Sequence, residues 1–346
     1  YSTVDGNNID KIIILFNSVH ENTTRKDEIK FYLLVDKLPK EMPYIPDYIK
    51  DKLEIKELVI DQVWTNLLQQ FNENFYKSAQ WCRHIMNFSR FLFFKNFPEI
   101  ERVTYLDWDM IVQGDIFELE ENYHDKENMI VVNTGGNSIL NNVFERKFYN
   151  PTSLMGIYDK RNKIKHHKIS EIIKILNIPY SDFNSIQGFN AGFYIVSNFH
   201  FDEKFIISHL KKLINIQKNL NCFNFGTQVV MNLMHVKNRV LIDKKWNSLP
   251  IDNNLEELKI IHWNGTKKPW NSVNSNNKIW YDYCFKVYPE HKDKYSKLNL
   301  LNFKNKKEDK IISKDNEDVK ERKYFISTKK TGNNRNNLFL RYLASR

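Results

Sequence analysis

The sequence predicts an α/β fold with a mainly parallel sheet. Short apolar runs rich in β-branched and aromatic residues recur along the chain, amphipathic helical patterns lie between some of them, and no apolar run approaches the roughly 20 residues that span a bilayer. The predicted strands are 30–36 (KFYLLVD), 53–60 (LEIKELVI), 102–107 (RVTYLD), 129–133 (MIVVN) and 190–197 (NAGFYIVS). Residues 9–19 read equally as a buried strand or a buried helix. The turn-like Val4-Asp5-Gly6-Asn7 just before them favours a helix. Ser78 is placed to cap a helix with Trp81, Ile85, Phe88 and Leu92 on one face, ended by Pro98. Asp202 is placed to start another, carrying Phe205, Ile206, Leu210, Leu213 and Ile214. From about Phe303 the character changes: 304–323 is dense in charge, and 332–337 is polar. The folded domain is therefore assigned to 1–300 and a basic polar tail or linker to 301–346.

At 346 residues, with 41% hydrophobic and 27% charged, the chain has the size and balance of a folded protein with a large core. Aromatic residues reach 14%, and their rings suit the apolar faces of sugars as well as a core. The formal charge of +10 attracts anionic partners: nucleic acid, an anionic membrane or a phosphorylated substrate. The codon bias of an AT-rich genome toward Lys, Asn and Ile accounts for that charge equally well. No nucleic-acid-binding motif is present, and scattered Asp and Glu break any basic stripe. Cys82, Cys222 and Cys284 form no CxxC pair and leave one thiol over in any disulfide scheme, so neither structural zinc nor an oxidising compartment is indicated.

Two segments carry chemistry. In Tyr105-Leu106-Asp107-Trp108-Asp109 an apolar strand runs into two aspartates one residue apart, which face the same way if the strand continues. Like charges so placed repel unless a cation or proton lies between them, and oxygen ligands suit a hard divalent ion. Taken alone, the pair also reads as a strand-to-turn junction with two solvated carboxylates. The second segment is His262-Trp263-Asn264-Gly265-Thr266-Lys267-Lys268-Pro269-Trp270, after the apolar 259–261. A His at a strand end suits a third metal ligand, Gly265 allows close backbone approach to a phosphate, and Lys268 offers a point charge for it. The alternative is a basic surface loop around a buried tryptophan.

With these motifs the chain resembles glycosyltransferase family 8, the retaining, metal-dependent transferases. LDWD resembles the family's DxD, HWNGTKKPW its HxxGxxKPW pattern, and Phe189-Asn190-Ala191-Gly192-Phe193 its FNAG strand entry. Thr3 to Asn7 lie where the family binds the nucleobase, and Arg90 lies where it places a donor-binding arginine. The resemblance covers roughly 1–290. It implies a single Rossmann-like nucleotide-sugar-binding domain with a central mixed sheet (GT-A type). It implies Mn²⁺, or Mg²⁺, on Asp107, Asp109 and His262, and a uridine contacted by Thr3, Asp5 and Asn7. Arg90, Gly265 and Lys268 would hold the donor diphosphate. Asn190 and Gly192 would line the sugar pocket, with Gln228 near the anomeric carbon. The implied reaction is transfer of a hexose, glucose first and galactose second, from a UDP-sugar to a glycan, protein or lipid hydroxyl.

Two departures bear on this expectation. Thr227-Gln228 stands where many members have Asp-Gln, although the plant galacturonosyltransferase-like branch also carries a threonine there, and Asn8 stands where an aromatic often follows the nucleobase asparagine. The rival readings are a catalytically inactive nucleotide-sugar-binding relative, which Thr227 keeps open, and a basic nucleic-acid-binding protein. The sequence opens at Tyr1 rather than Met, as an excerpt of a longer chain would. Localisation stays open between a cytoplasmic or membrane-peripheral protein and, with an upstream anchor, the Golgi or ER lumen.

Lys304, Lys306, Lys307, Lys310, Lys329 and Lys330 predict a peripheral contact of the tail with anionic membranes, worth up to about 1 kcal/mol per basic residue at low salt. The alternative is a solvated linker to another domain. A chain cut after residue 302 is expected to keep donor hydrolysis and to sediment less with anionic liposomes. Equal sedimentation of the two chains contradicts the membrane contact, and lost hydrolysis contradicts the domain boundary.

Overall fold

Three short parallel strands open the chain. In the computed structural model these are β1 (Ser2–Val4), β2 (Phe31–Val35) and β3 (Leu53–Glu57), with Ser2 opposite Leu33 and Phe31 opposite Leu53. The structure describes residues 1–75, 86–123, 127–138, 187–220, 226–250, 254–265, 267–272, 275–293 and 295. Between β1 and β2, helix α1 (Ile9–Asn22) resolves the ambiguity of residues 9–19 in favour of a helix. Asp5 caps the turn before it, its Oδ1 accepting from Asn7 N at 3.1 Å. The isoleucines of α1 are buried, and helix α2 (Gln62–Phe75) follows β3.

The strand β4 (Arg102–Leu106) runs antiparallel to β7 (Gln187–Ser197), which runs antiparallel to β6 (Met129–Ser138). β6 in turn pairs in parallel with β8 (Arg239–Ile242). A separate antiparallel pair joins β5 (Met110–Val112) to β9 (Ile260–His262), with Met110 opposite His262. β1 reaches β4 through Leu106 N, which donates to Tyr1 O at 3.0 Å, and through Ser2 Oγ, which donates to Leu106 O at 2.7 Å.

The architecture is therefore mixed, as the family resemblance implied, and not the mainly parallel sheet read from strand–helix alternation alone. Strands buried on both faces are apolar throughout, so their pattern carries no direction signal. A second correction concerns the helix placed at 78–98. Its first half lies outside the described residues. From Met86 the chain forms successive short turns, Met86–Ser89, Arg90–Leu92 and Phe93–Asn96, instead of one continuous helix. Phe88, Phe91, Leu92, Phe93 and Phe97 are all buried there, so the packing of rings on several sides displaces the single apolar stripe that periodicity implied.

Three anchors position the site. Ser18 Oγ on α1 accepts from Val112 N at 3.0 Å, and Asn22 Nδ2 donates to Val112 O at 3.0 Å, docking α1 on β5. Helix α3 (Glu203–Leu220) packs against α2, and Asp202 Oδ1 caps it by accepting from Phe205 N at 2.8 Å. Helix α4 (Gly226–Met234) is pinned to β7 by Asn232, whose amide accepts from Phe189 N at 3.0 Å and donates to Phe189 O at 2.9 Å. Near the end of the described chain lies helix α5 (Lys278–Val287).

The chain divides into two compact units, Tyr1–Pro289 and Glu290–Arg346, and the tail assigned to 301–346 lies outside the described residues. No helix among the described residues is long and apolar enough to cross a membrane.

Candidate active site

β4 ends at Leu106, and the chain turns through Asp107-Trp108-Asp109 before entering β5. The two carboxylates therefore meet by way of a turn, not by side-chain alternation along a continuing strand. Backbone bonds fix both ends of the turn. Asp107 N donates to Gly192 O on β7 at 2.8 Å, and Trp263 N donates to Asp109 O at 3.0 Å. Pairing of β5 with β9 then delivers His262 to the same point. His262 Nε2 lies 3.2 Å from Asp109 Oδ1 and 3.8 Å from Asp107 Oδ2. Asp107, Asp109 and His262 each offer one ligand atom, all within 4.8 Å of one another.

Asp109 is only 3% exposed, so the reading of two solvated carboxylates does not describe this turn. Burial pushes its carboxyl up. The Lys268 ammonium beside it, and the His262 ring whenever it is protonated, outweigh that and hold it below the usual carboxylate range. Lys268 Nζ donates to Asp109 Oδ2 and, at 2.9 Å, to Trp263 O. On the other side Arg90 Nη2 lies 3.2 Å from Asp107 Oδ1, while its Nη1 donates to Ala191 O at 2.6 Å and its guanidinium lies 4.5 Å from the centre of the Tyr105 ring. Tyr105 Oη completes the setting by donating to Asp107 Oδ1 at 2.6 Å. Among the described residues Asp109 Oδ1, buried, has no hydrogen-bond partner, and it faces His262 and Asp107. Two oxygens and one imidazole nitrogen converging on an unsatisfied carboxylate atom fit a divalent cation.

A cavity of about 450 Å³ opens beside this cluster. Thr3, Asp5, Arg90, Asp107, Asp109, Gly265 and Lys268 all line it. Gly265 stands at φ +97, a left-handed conformation that favours glycine, and a Cβ there would meet nothing within 4 Å. Asn7 is exposed and is not among the lining residues; its backbone N–H serves the Asp5 cap. Asn190 and Gln228 meet one another, with Asn190 Nδ2 donating to Gln228 Oε1 at 3.3 Å. Gly192 sits against the cluster, where a Cβ would lie 2.4 Å from His262 Cε1 and 2.8 Å from both Asn190 Oδ1 and Asp107 Oδ2.

The sequence reading passed over Tyr105, Trp108, Met86, Asn87 and Asn264 in the lining. Tyr105 had a usable signal, since it lies two residues before Asp107 on a strand. Trp108 packs on Trp270 with ring centres 4.7 Å apart, tying the aspartate turn to the loop that carries Lys268. No local pattern marks Met86, Asn87 or Asn264.

Comparison with known proteins agrees with this geometry. The model of a family described as glycosyl transferase family 8 matches residues 2–274. Human glycosyltransferase 8 domain-containing protein 2 is 27% identical over 210 residues, covering 56% of this chain and 56% of that protein. Zebrafish (Danio rerio) glycosyltransferase 8 domain-containing protein 1 is 24% identical over 213 residues, covering 56% of this chain and 54% of that protein. The chain thus spans about half the length of these curated relatives. Among solved structures, the galactosyltransferase LgtC in complex with donor and acceptor sugar analogues superposes with a TM-score of 0.51 at 12% identity, covering 83% of this chain and 95% of that one. The apo bifunctional glycosyltransferase WbbM superposes with a TM-score of 0.51 at 16% identity, covering 83% of this chain and 50% of that one. At these identities the structures show a shared fold.

Substituting Gly192→Ala is expected to displace His262, Asn190 or Asp107, because the added methyl falls under 3.0 Å from all three. If the cluster holds a divalent cation, calorimetric titration with such a cation should show weaker binding than wild type, with a thermal melt still cooperative. Unchanged affinity contradicts the close packing described.

Proposed function

The chain belongs to glycosyltransferase family 8, and on that premise we propose that it transfers a hexose, glucose first and galactose second, from a UDP-sugar to an acceptor hydroxyl with retention of configuration. The observation that carries the reading is the buried, unpartnered Asp109 Oδ1, 3.2 Å from His262 Nε2 at the wall of a cavity lined by Lys268 and Arg90. Asp107, Asp109 and His262 would hold the divalent cation, Mn²⁺ in preference to Mg²⁺. When bound, that ion supplies positive charge to the diphosphate as it leaves.

The chain's own residues divide the remaining work. Thr3 and Asp5, which line the cavity, serve the uridine end, and Asn7 at its edge supports the Asp5 cap. Gly265 lets the backbone approach the diphosphate, and Arg90 and Lys268 give it charge in a partly desolvated setting, where such contacts act more strongly than in water. With Thr227 where many members carry aspartate, contacts to the sugar hydroxyls fall to Asn190 and Gln228 beside Gly192.

In the reaction the acceptor oxygen bonds to the anomeric carbon on the face from which the diphosphate leaves, and the carbon–oxygen bond to the diphosphate breaks. The acceptor proton passes to a diphosphate oxygen, so no enzyme carboxylate is required as nucleophile.

UDP release from a panel of UDP-sugars with Mn²⁺ tests the reading. Slow release without an acceptor is expected, and it should depend on the metal. Asp109→Asn removes a charged ligand, so release should fall by on the order of 100-fold or more, as when one preorganised electrostatic contact is lost. The melt should stay cooperative. Activity near wild type contradicts the role. Binding of UDP without any release points instead to an inactive nucleotide-sugar-binding relative.

A further inference from the structure

Asn247 ends the short turn Lys244–Trp246 that follows β8, and hydrogen bonds on either side of it hold the segment along β9. Lys259 N donates to Lys245 O at 2.8 Å, Ser248 N to Ile260 O at 3.1 Å, and His262 N to Ser248 O at 2.8 Å. Trp246 is buried and anchors the turn. With its backbone held this way, the Asn247 side chain spans two site residues. Its Oδ1 lies 2.9 Å from His262 Nδ1, and its Nδ2 lies 3.3 Å from Asn190 Oδ1. The same Asn190 oxygen accepts from Gly192 N at 2.8 Å, while Asn190 Nδ2 donates to Gln228 Oε1 at 3.3 Å.

The position of the proton on His262 follows from the direction of this chain. A backbone N–H only donates, so the Asn190 atom facing Gly192 N is the oxygen. That oxygen only accepts, so the Asn247 atom facing it is the NH₂ group. The opposite end of the Asn247 amide, facing His262, is then the oxygen, and only an N–H at Nδ1 completes the contact.

We propose that Asn247 is a positioning residue: through the one-way hydrogen-bond chain Gly192–Asn190–Asn247 it holds His262 as the Nδ1–H tautomer and leaves the Nε2 lone pair facing Asp107 and Asp109. An imidazole free in water favours the other tautomer, whose Nε2 carries a proton and cannot ligate a cation. A partner at the far ring nitrogen also fixes the ring plane and raises the basicity of the ligating nitrogen. Because Asn190 and Gln228 belong to the same chain of amides, the metal ligand and the residues assigned to the sugar pocket share one geometric reference, the Gly192 amide. The inference rests on the reading of Asp107, Asp109 and His262 as cation ligands.

Two measurements on the full chain test it, with Asn247→Ala and Asn247→Asp compared against wild type. The first is Mn²⁺ affinity without donor, by electron paramagnetic resonance titration. The second is the tautomer of the neutral His262 ring in the metal-free protein, by long-range ¹H–¹⁵N correlation, with the signal assigned by its loss in His262→Gln. Wild type should show Nδ1–H. Asn247→Asp keeps an acceptor facing Nδ1 but gives up the donor to Asn190 Oδ1, so it should keep that tautomer and bind Mn²⁺ more tightly than the alanine variant. Asn247→Ala should lose the tautomer preference and bind Mn²⁺ about 10–100-fold more weakly, the usual cost of removing a partner of a ligating histidine. Nε2–H in wild type overturns the inference whatever the variants do. So does an alanine variant with unchanged affinity and tautomer, or an aspartate variant that loses the Nδ1–H tautomer as the alanine one does. If wild type binds no Mn²⁺, the cation reading of the site fails, and the tautomer signals alone then decide the role of Asn247.

Discussion

Burying Asp109 within reach of Asp107 desolvates a carboxylate and sets it near a second one, an arrangement that is unfavourable unless positive charge compensates. Compensation comes from both flanks. Lys268 donates to Asp109, and Arg90 lies 3.2 Å from Asp107, its own guanidinium shielded over Tyr105. One atom is left over, Asp109 Oδ1, buried and without a hydrogen-bond partner among the described residues. A cation at that point would remove the last unsatisfied group and most of the repulsion together, so the proposed metal site is where the packing of the cluster would become complete.

That requirement accounts for much of the topology. The groups that must meet come from residues 90, 107–109, 190–192, 247 and 262–268, which are far apart in sequence. β7 lies beside β4 so that Gly192 O can receive Asp107 N, and its glycine leaves room for three side chains where a methyl group would not fit. The short antiparallel pair of β5 and β9 exists on either side of the same cluster, leaving from Asp109 and arriving at His262. Docking of α1 on β5 through Ser18 and Asn22 steadies the outgoing strand. The tilted stack of Trp108 on Trp270 couples the aspartate turn to the loop bearing Lys268.

What was legible in the sequence, and what was not, divides along physical lines. Strand cores, the helix over residues 9–19 and the helix after Asp202 follow from local apolar pattern and capping, and they appear as read. Asp107, Asp109, His262 and Lys268 stand in two compact motifs at strand ends, where local chemistry already suggests a cation and an anionic ligand. Strand direction is not legible in the local pattern, because a doubly buried strand is apolar in either orientation; the mixed sheet came from the family resemblance alone. The helix placed at 78–98 was misread beyond Met86 because rings at 88, 91, 93 and 97 are buried on several sides, which no single helical face can represent. Asn247 was invisible for a different reason: its contribution is the direction in which one amide points, and that depends on Gly192 and Asn190 on β7 and His262 on β9 being brought together with the turn that carries Asn247.

The central claim is that Asp107, Asp109 and His262 form one cation site at the wall of a nucleotide-binding cavity. Its most direct test is diffraction from crystals grown with Mn²⁺ and UDP, using data collected on both sides of the manganese absorption edge. The account predicts an anomalous peak about 2.0–2.6 Å from an oxygen of each aspartate and from His262 Nε2, with the diphosphate beside Lys268 and Gly265. A manganese peak away from His262, or UDP bound in the cavity without any metal peak, would contradict it.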